Sequence, residues 1–199
     1  MSPFFTAIRA VIFTAPSGAG KTTIVRHLLG QYGDCLGFSI SATTRPPRPG
    51  ERHGVDYYFI PVEEFRRRVQ SNAFLEWEEV YPNTFYGTLR EEVDRLWQSG
   101  KVALFDIDVK GALSIKEALG DRALAVFVHP PDIVSLFLRL RRRNTEASET
   151  MQLRLQRAKK ELCYRFRFDI VLYNEDLQST LRAAERIVRY YACSDSSGD

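Results

Sequence analysis

The run Ala15-Pro16-Ser17-Gly18-Ala19-Gly20-Lys21-Thr22-Thr23 sets small residues ahead of a lysine and a hydroxyl. Small residues let successive backbone N–H groups converge on a phosphate at a helix N-terminus, where unpaired donors and the helix dipole favour an anion. In this P-loop reading, Lys21 reaches the β and γ phosphates and the Thr22 hydroxyl ligates Mg²⁺. Ala15 stands where the pattern expects glycine. Pro16 offsets that departure by pushing its predecessor to the β or polyproline region, which alanine occupies without strain.

Other residues could also handle anions. Arg45 and Arg48 are tied together by prolines, as a fork gripping a phosphate would be. Between Arg139 and Lys160 lie eight basic residues against two acidic ones, while the rest of the chain carries 20 against 23. Charge alone is also satisfied by a solvated helix face there, because Ile133, Leu136, Phe137 and Leu140 mark an apolar stripe that the arginines avoid. Asp106 ends an apolar run, where a carboxylate would face Mg²⁺ or its water shell. Asp108 points to the same side if the strand continues, or else caps a helix beginning near Val109.

The elements that must position these residues are marked by apolar runs: 7–13, 102–105, 123–128 and 170–172, with a shorter one at 38–40. Continuous rather than alternating apolar strands suit a parallel sheet covered on both faces, so the frame reads as βαβ units with five parallel strands. The first helix carries Ile24, Val25, Leu28 and Leu29 on one face and is expected to end at Gly30 and Gly33. Between Ser41 and Thr88 prolines break regularity, and short strands at 56–60 and 74–80 flank a small helix near 63–71. The expected organisation is an α/β core over 1–40, 89–138 and 163–193. It carries a small α+β insertion over 41–88, a helical, arginine-rich segment over 139–162 and a polar tail over 194–199.

Ser41-Ala42-Thr43-Thr44-Arg45-Pro46-Pro47-Arg48-Pro49-Gly50-Glu51, followed by Gly54-Val55-Asp56-Tyr57-Tyr58-Phe59, resembles the GMP-binding segment of guanylate kinases. So do Phe74-Leu75-Glu76-Trp77, Phe85-Tyr86-Gly87-Thr88 and Asp106-Ile107-Asp108-Val109-Lys110-Gly111. With the P-loop these motifs stand in family order from about Ala7 to Asn174. The resemblance implies a P-loop nucleoside-monophosphate-kinase-like fold that transfers the γ-phosphoryl of ATP to GMP with Mg²⁺ as cofactor. It implies that Ser41, Arg45, Arg48, Tyr57 and Tyr86 hold the GMP phosphate, that Glu76 and Thr88 read the guanine, and that Asp108 lies nearby. It makes 139–162 a lid whose Arg139 and Arg143 close over the ATP phosphates, with Arg154 reaching in from the next helix. Asn174 falls on the adenine side, and Ala15 to Thr23 hold ATP.

Composition excludes other classes. With 199 residues and 44% apolar content, disorder, collagen and coiled coil are ruled out. No apolar run reaches the ~20 residues of a membrane span, and Arg9 interrupts the stretch from Phe4 to Phe13 that a secretory signal would need. Cys35, Cys163 and Cys193 are scattered and odd in number, which suits a reducing compartment and a core that stands without disulfides. The expected setting is the cytoplasm and the expected partners are ATP and GMP, with neither nucleic acid nor membrane; oligomeric state is not encoded legibly. Two alternatives keep the same features: a guanylate-kinase-like module that binds proteins without catalysis, and a P-loop kinase for another phosphorylated acceptor. Because Ala15 precedes proline, Ala15→Gly should change kcat/KM by less than ~10-fold; a larger gain in steady-state assays would show that alanine distorts the loop.

Overall fold

The computed structural model describes residues 7–136, 138 and 151–193, apart from the side chains of Met151, Gln152 and Arg154. Strands β1 (Ala10–Thr14), β2 (Leu36–Phe38), β7 (Val102–Ile107), β8 (Ala123–His129) and β9 (Ile170–Tyr173) form a sheet in the order β2-β7-β1-β8-β9, parallel throughout. All five residues of β1 are buried, as a central strand covered on both faces must be. Val11 and Phe13 face one half of the core with α1 (Lys21–Tyr32) and α6 (Leu177–Tyr191). Ala10 and Ile12 face the other half, which α3 (Arg90–Gln98) and α4 (Val109–Leu119) cover. Helix α5 (Met151–Cys163) lays Leu155 and Ala158 against the first half. Among the described residues, no helix is long and apolar enough to cross a membrane.

A second sheet, in the order β4-β3-β6-β5, is built from β3 (Ala42–Thr43), β4 (Tyr58–Phe59), β5 (Phe74–Tyr81) and β6 (Thr84–Leu89). With α2 (Val62–Gln70) it encloses its own small core, where Phe65 stacks between Phe74 and Phe85 at centroid distances of 4.4 and 5.2 Å. The β3 and β6 strands had no apolar signature in the sequence. One is two residues long, and the other owes its place to antiparallel pairing with β5.

Two expectations need correcting. Gly30 does not end α1, which runs through it to Tyr32 with Gly33 as its C-cap; one glycine in a helix packed on the core is tolerated at about 1 kcal/mol. The cysteines are not all unpaired: Cys35 and Cys193 form a disulfide across 158 positions, with Cα atoms 5.9 Å apart, and Cys163 alone is free. Sequence distance hides this because α6 lies beside α1 and runs in the same direction, as the His27–Glu185 pair also shows, so its end meets the turn after α1. Phe65→Ala should lower unfolding free energy by about 3–5 kcal/mol, measured by chemical denaturation; a loss under about 1 kcal/mol would show that the stacked trio does not hold the second sheet together.

Candidate active site

Parallel strands end along one edge, and the register sets Phe13 beside Asp106 and Thr14 beside Ile107, so the loop after β1 and the loop after β7 face one another. Between them and the second sheet lies a cavity of about 730 Å³. At one end the P-loop turns through Gly18 and Gly20, with φ of 87° and 98°, directly into α1. Only Asn72 and Asn83 among the described non-glycine residues have positive φ, so Ala15 takes ordinary backbone geometry, as Pro16 requires. The Lys21 ammonium donates to the Ile107 carbonyl and lies 2.9 Å from the Asp106 carboxylate. Ser17, Lys21 and Thr22 line this end, while Thr23 donates its backbone N–H to Gly20. The Thr22 hydroxyl and Asp106 carboxylate supply hard oxygen donors to the same cavity. That short set suits Mg²⁺, which takes most of its ligands from water and substrate phosphates.

The other end is built by the second sheet. Arg45 donates from Nε to the Tyr86 hydroxyl at 3.0 Å and grips Glu51 with both terminal nitrogens at 2.6 and 2.7 Å. That fork holds the Glu51 carboxyl down at about 2, and Glu51 also accepts from the Arg48 backbone N–H. Tyr57 lies under the Arg45 guanidinium at 5.0 Å and meets Tyr86 edge-on; burial pushes its phenol upward. Ser41 and Arg48 line the same wall.

Glu76 and Thr88 are direct cross-strand partners on β5 and β6, and the Thr88 hydroxyl donates to Glu76 at 2.8 Å. Burial pushes the Glu76 carboxyl up to about 7; Thr88 opposes that rise and the Asp108 charge adds to it. Glu76 approaches the first turn of α4 so closely that a Cβ at Gly111 would stand 3.2 Å from its Oε2 and 2.6 Å from Ile107. The strand stops at Ile107, so Asp108 takes the second of its two readings and caps α4 by accepting from the Gly111 N–H at 2.8 Å; it also lines the cavity.

The remaining sequence candidates fall elsewhere. Asn174 is 3% exposed and donates its side-chain amide to the Ala19 carbonyl at 2.7 Å, which places it behind the P-loop as a brace. Arg139 and Arg143 lie outside the described residues, as does the side chain of Arg154, whose backbone belongs to α5. Arg157, another arginine of the basic stretch, pairs with Glu161 at 3.1 Å. Sequence reasoning missed Glu51, although it closes the motif that holds Arg45. Its signal was an acidic residue six positions after an arginine in a proline-constrained loop.

A P-loop at the carboxyl edge of a five-stranded parallel sheet, facing a second wall of arginine and tyrosine side chains across one cavity, is the arrangement of a P-loop phosphotransferase. The sequence profile of the guanylate kinase family matches residues 7–191. The chain is 48% identical over 184 residues to guanylate kinase of Salinibacter ruber, covering 92% of this chain and 97% of that protein. It is 45% identical over 183 residues to guanylate kinase of Porphyromonas gingivalis, with the same coverage. The crystal structure of guanylate kinase from Anaplasma phagocytophilum superposes with a TM-score of 0.71 at 27% identity, covering 96% of this chain and 89% of that one. The chain belongs to the guanylate kinase family.

The raised Glu76 carboxyl carries a stability consequence. Its folded value of about 7 lies above its ordinary value of 4.5, so its contribution is fully present below about 4.5 and is lost as pH rises through about 7. Relative to Glu76→Gln, the ligand-free protein should lose on the order of 2 kcal/mol between pH 5 and pH 8, a figure reduced for the carboxylate's remaining solvent contact. Denaturant midpoints at both pH values test this; parallel curves for the two proteins would show the carboxyl is not displaced.

Proposed function

We propose that this guanylate kinase divides its work between the two ends of the cavity in the reaction ATP + GMP ⇌ ADP + GDP. ATP phosphates lie in the loop from Ala15 to Thr23, with Lys21 beside the transferring group. The GMP phosphate lies against Ser41, Arg45, Arg48, Tyr57 and Tyr86. Mg²⁺ brought in with ATP would be held by Thr22 and Asp106, and would supply neutralising charge between the β and γ phosphates. Arg139, Arg143 and Arg154 would complete the donor end from the lid segment over 139–162, and Asn174 would support it through Ala19.

No general base is required, because a phosphomonoester with a second pKa of about 6 is largely ionised at neutral pH. The protein's task is to hold two repelling anions in line and offset charge on the transferring group. Lid closure would also keep water from competing for that group. A cytoplasmic setting, where both nucleotides are at hand, completes the reading.

The observation that carries the acceptor assignment is the Glu76–Thr88 pair beside the α4 N-terminus. Guanine presents N1–H and the N2 amino group on one edge, and an ionised carboxylate accepts from both. Adenine presents an unprotonated N1 there and leaves that carboxylate unsatisfied. An assay with GMP, dGMP, AMP, CMP and UMP at pH 8, where Glu76 is ionised, should show guanine nucleotides preferred by ~10⁴ or more in kcat/KM over the other bases. Glu76→Gln should lower kcat/KM for GMP by ~10² or more and leave the KM for ATP within about threefold. Turnover of GMP by that variant within about threefold of the parent would remove Glu76 from base recognition.

A further inference from the structure

The insertion joins the core through two chain crossings. The chain leaves β2 through Ser39, Ile40 and Ser41 to enter β3, and returns from β6 straight into α3 at Arg90. Glu92 stands in the first turn of α3, between these crossings. Its side chain is 1% exposed. Such a carboxylate must be satisfied by partners within the protein, and Glu92 accepts four hydrogen bonds. The Ile40 backbone N–H donates to Oε1 at 3.2 Å, the Tyr58 hydroxyl to Oε2 at 3.0 Å, and Arg95, one turn on, forks both oxygens at 2.9 Å.

Two of these donors belong to the insertion and its entry strand, and each adjoins a residue of the acceptor wall. Ile40 precedes Ser41, and Tyr58 follows Tyr57. The Tyr58 N–H also donates to the Ser41 carbonyl at 2.9 Å, which ties the two segments to each other. Glu92 itself does not line the cavity, whereas Ser41 and Tyr57 do. Arg95 is exposed and lies on Glu92's own helix, where it supplies counter-charge to Glu92 and also meets Tyr58.

We propose that Glu92 is a positioning residue for the acceptor end: its carboxylate fixes the Ile40 backbone and the Tyr58 hydroxyl to α3, and thereby sets Ser41 and Tyr57 at the distance from the P-loop that GMP needs. This rests on the assignment of GMP phosphate to the Ser41 and Tyr57 wall. Glutamine at this position keeps one acceptor, removes the charge on which both ties lean, and turns an amide N–H₂ toward the Tyr58 hydroxyl and the Arg95 Nε–H; the hydroxyl can reverse and accept, but the guanidinium cannot, so the Tyr58 tie is weakened. The P-loop, on the far side of the cavity, is not connected to Glu92 and keeps its geometry.

Steady-state kinetics well below each variant's melting temperature test the proposal. Glu92→Gln should raise the KM for GMP about tenfold, with kcat and the KM for ATP within about threefold of the parent. Tyr58→Phe deletes only the hydroxyl and keeps the fold accessible if Glu92→Gln proves too unstable. It should raise the KM for GMP about threefold, and the double variant should be no worse than Glu92→Gln within about twofold, because both act on one tie. Ser41→Ala serves as the reference for the acceptor wall. If it raises the KM for GMP while Glu92→Gln and Tyr58→Phe do not, Glu92 is only a stabilising group and the proposal fails with the acceptor assignment intact. Equal changes in both Michaelis constants would overturn it as well, since they report a general loss of structure. If Ser41→Ala also leaves the KM for GMP unchanged, the acceptor assignment fails and the proposal falls with it.

Discussion

Five parallel strands covered by helices on both faces leave reactive groups one place to stand, the edge where the strands end. β1 lies at the centre of the order and β7 beside it, so the P-loop and the Asp106-Ile107-Asp108 segment emerge as neighbours. Lys21 crosses the step between them, bound at once to Asp106 and to the Ile107 carbonyl. This end of the cavity is therefore set by strand order before any side chain is chosen, and Asn174, arriving at the end of β9, props the P-loop from behind.

The second wall solves a different problem, that of storing charges in an enclosed space without substrate. Arg45 is held on three sides by Glu51, Tyr86 and the Tyr57 ring, so little side-chain freedom remains to be lost when an anion arrives. Glu76 and Asp108 put two carboxyls near the first turn of α4. They coexist because Asp108 is capped into the helix, while burial favours a proton on Glu76 near neutrality. Gly111 permits that approach by offering no side chain.

What could be read in advance follows from how local each signal is. The continuous apolar runs and the loop from Ala15 to Thr23 carry their meaning within about ten residues, and the parallel core and the glycine turn that leads into α1 were accordingly legible. Paired residues such as Glu76 and Thr88 were reached only by resemblance, since their adjacency arises from β5–β6 register across 12 positions. Glu51 and Glu92 were not singled out, because an acidic residue in a loop or on a helix reads as solvent-facing until its donors from other elements are known. β3 escaped for a related reason: Ala42–Thr43 has no pattern of its own and is a strand only through its neighbours. The Cys35–Cys193 pair was hidden most deeply, by 158 intervening positions.

That pair has a topological consequence. With the bond in place, the polypeptide from Cys35, just past the P-loop helix, to Cys193, just past the last helix, is a covalent ring, and β1, the P-loop and α1 lie ahead of it in the chain. A protease that cuts the ring once opens it without separating anything: both fragments travel together on a gel until a thiol reductant parts them. The enzyme so closed behaves toward nicking as a circular molecule, and the same chain with its thiols reduced behaves as a linear one.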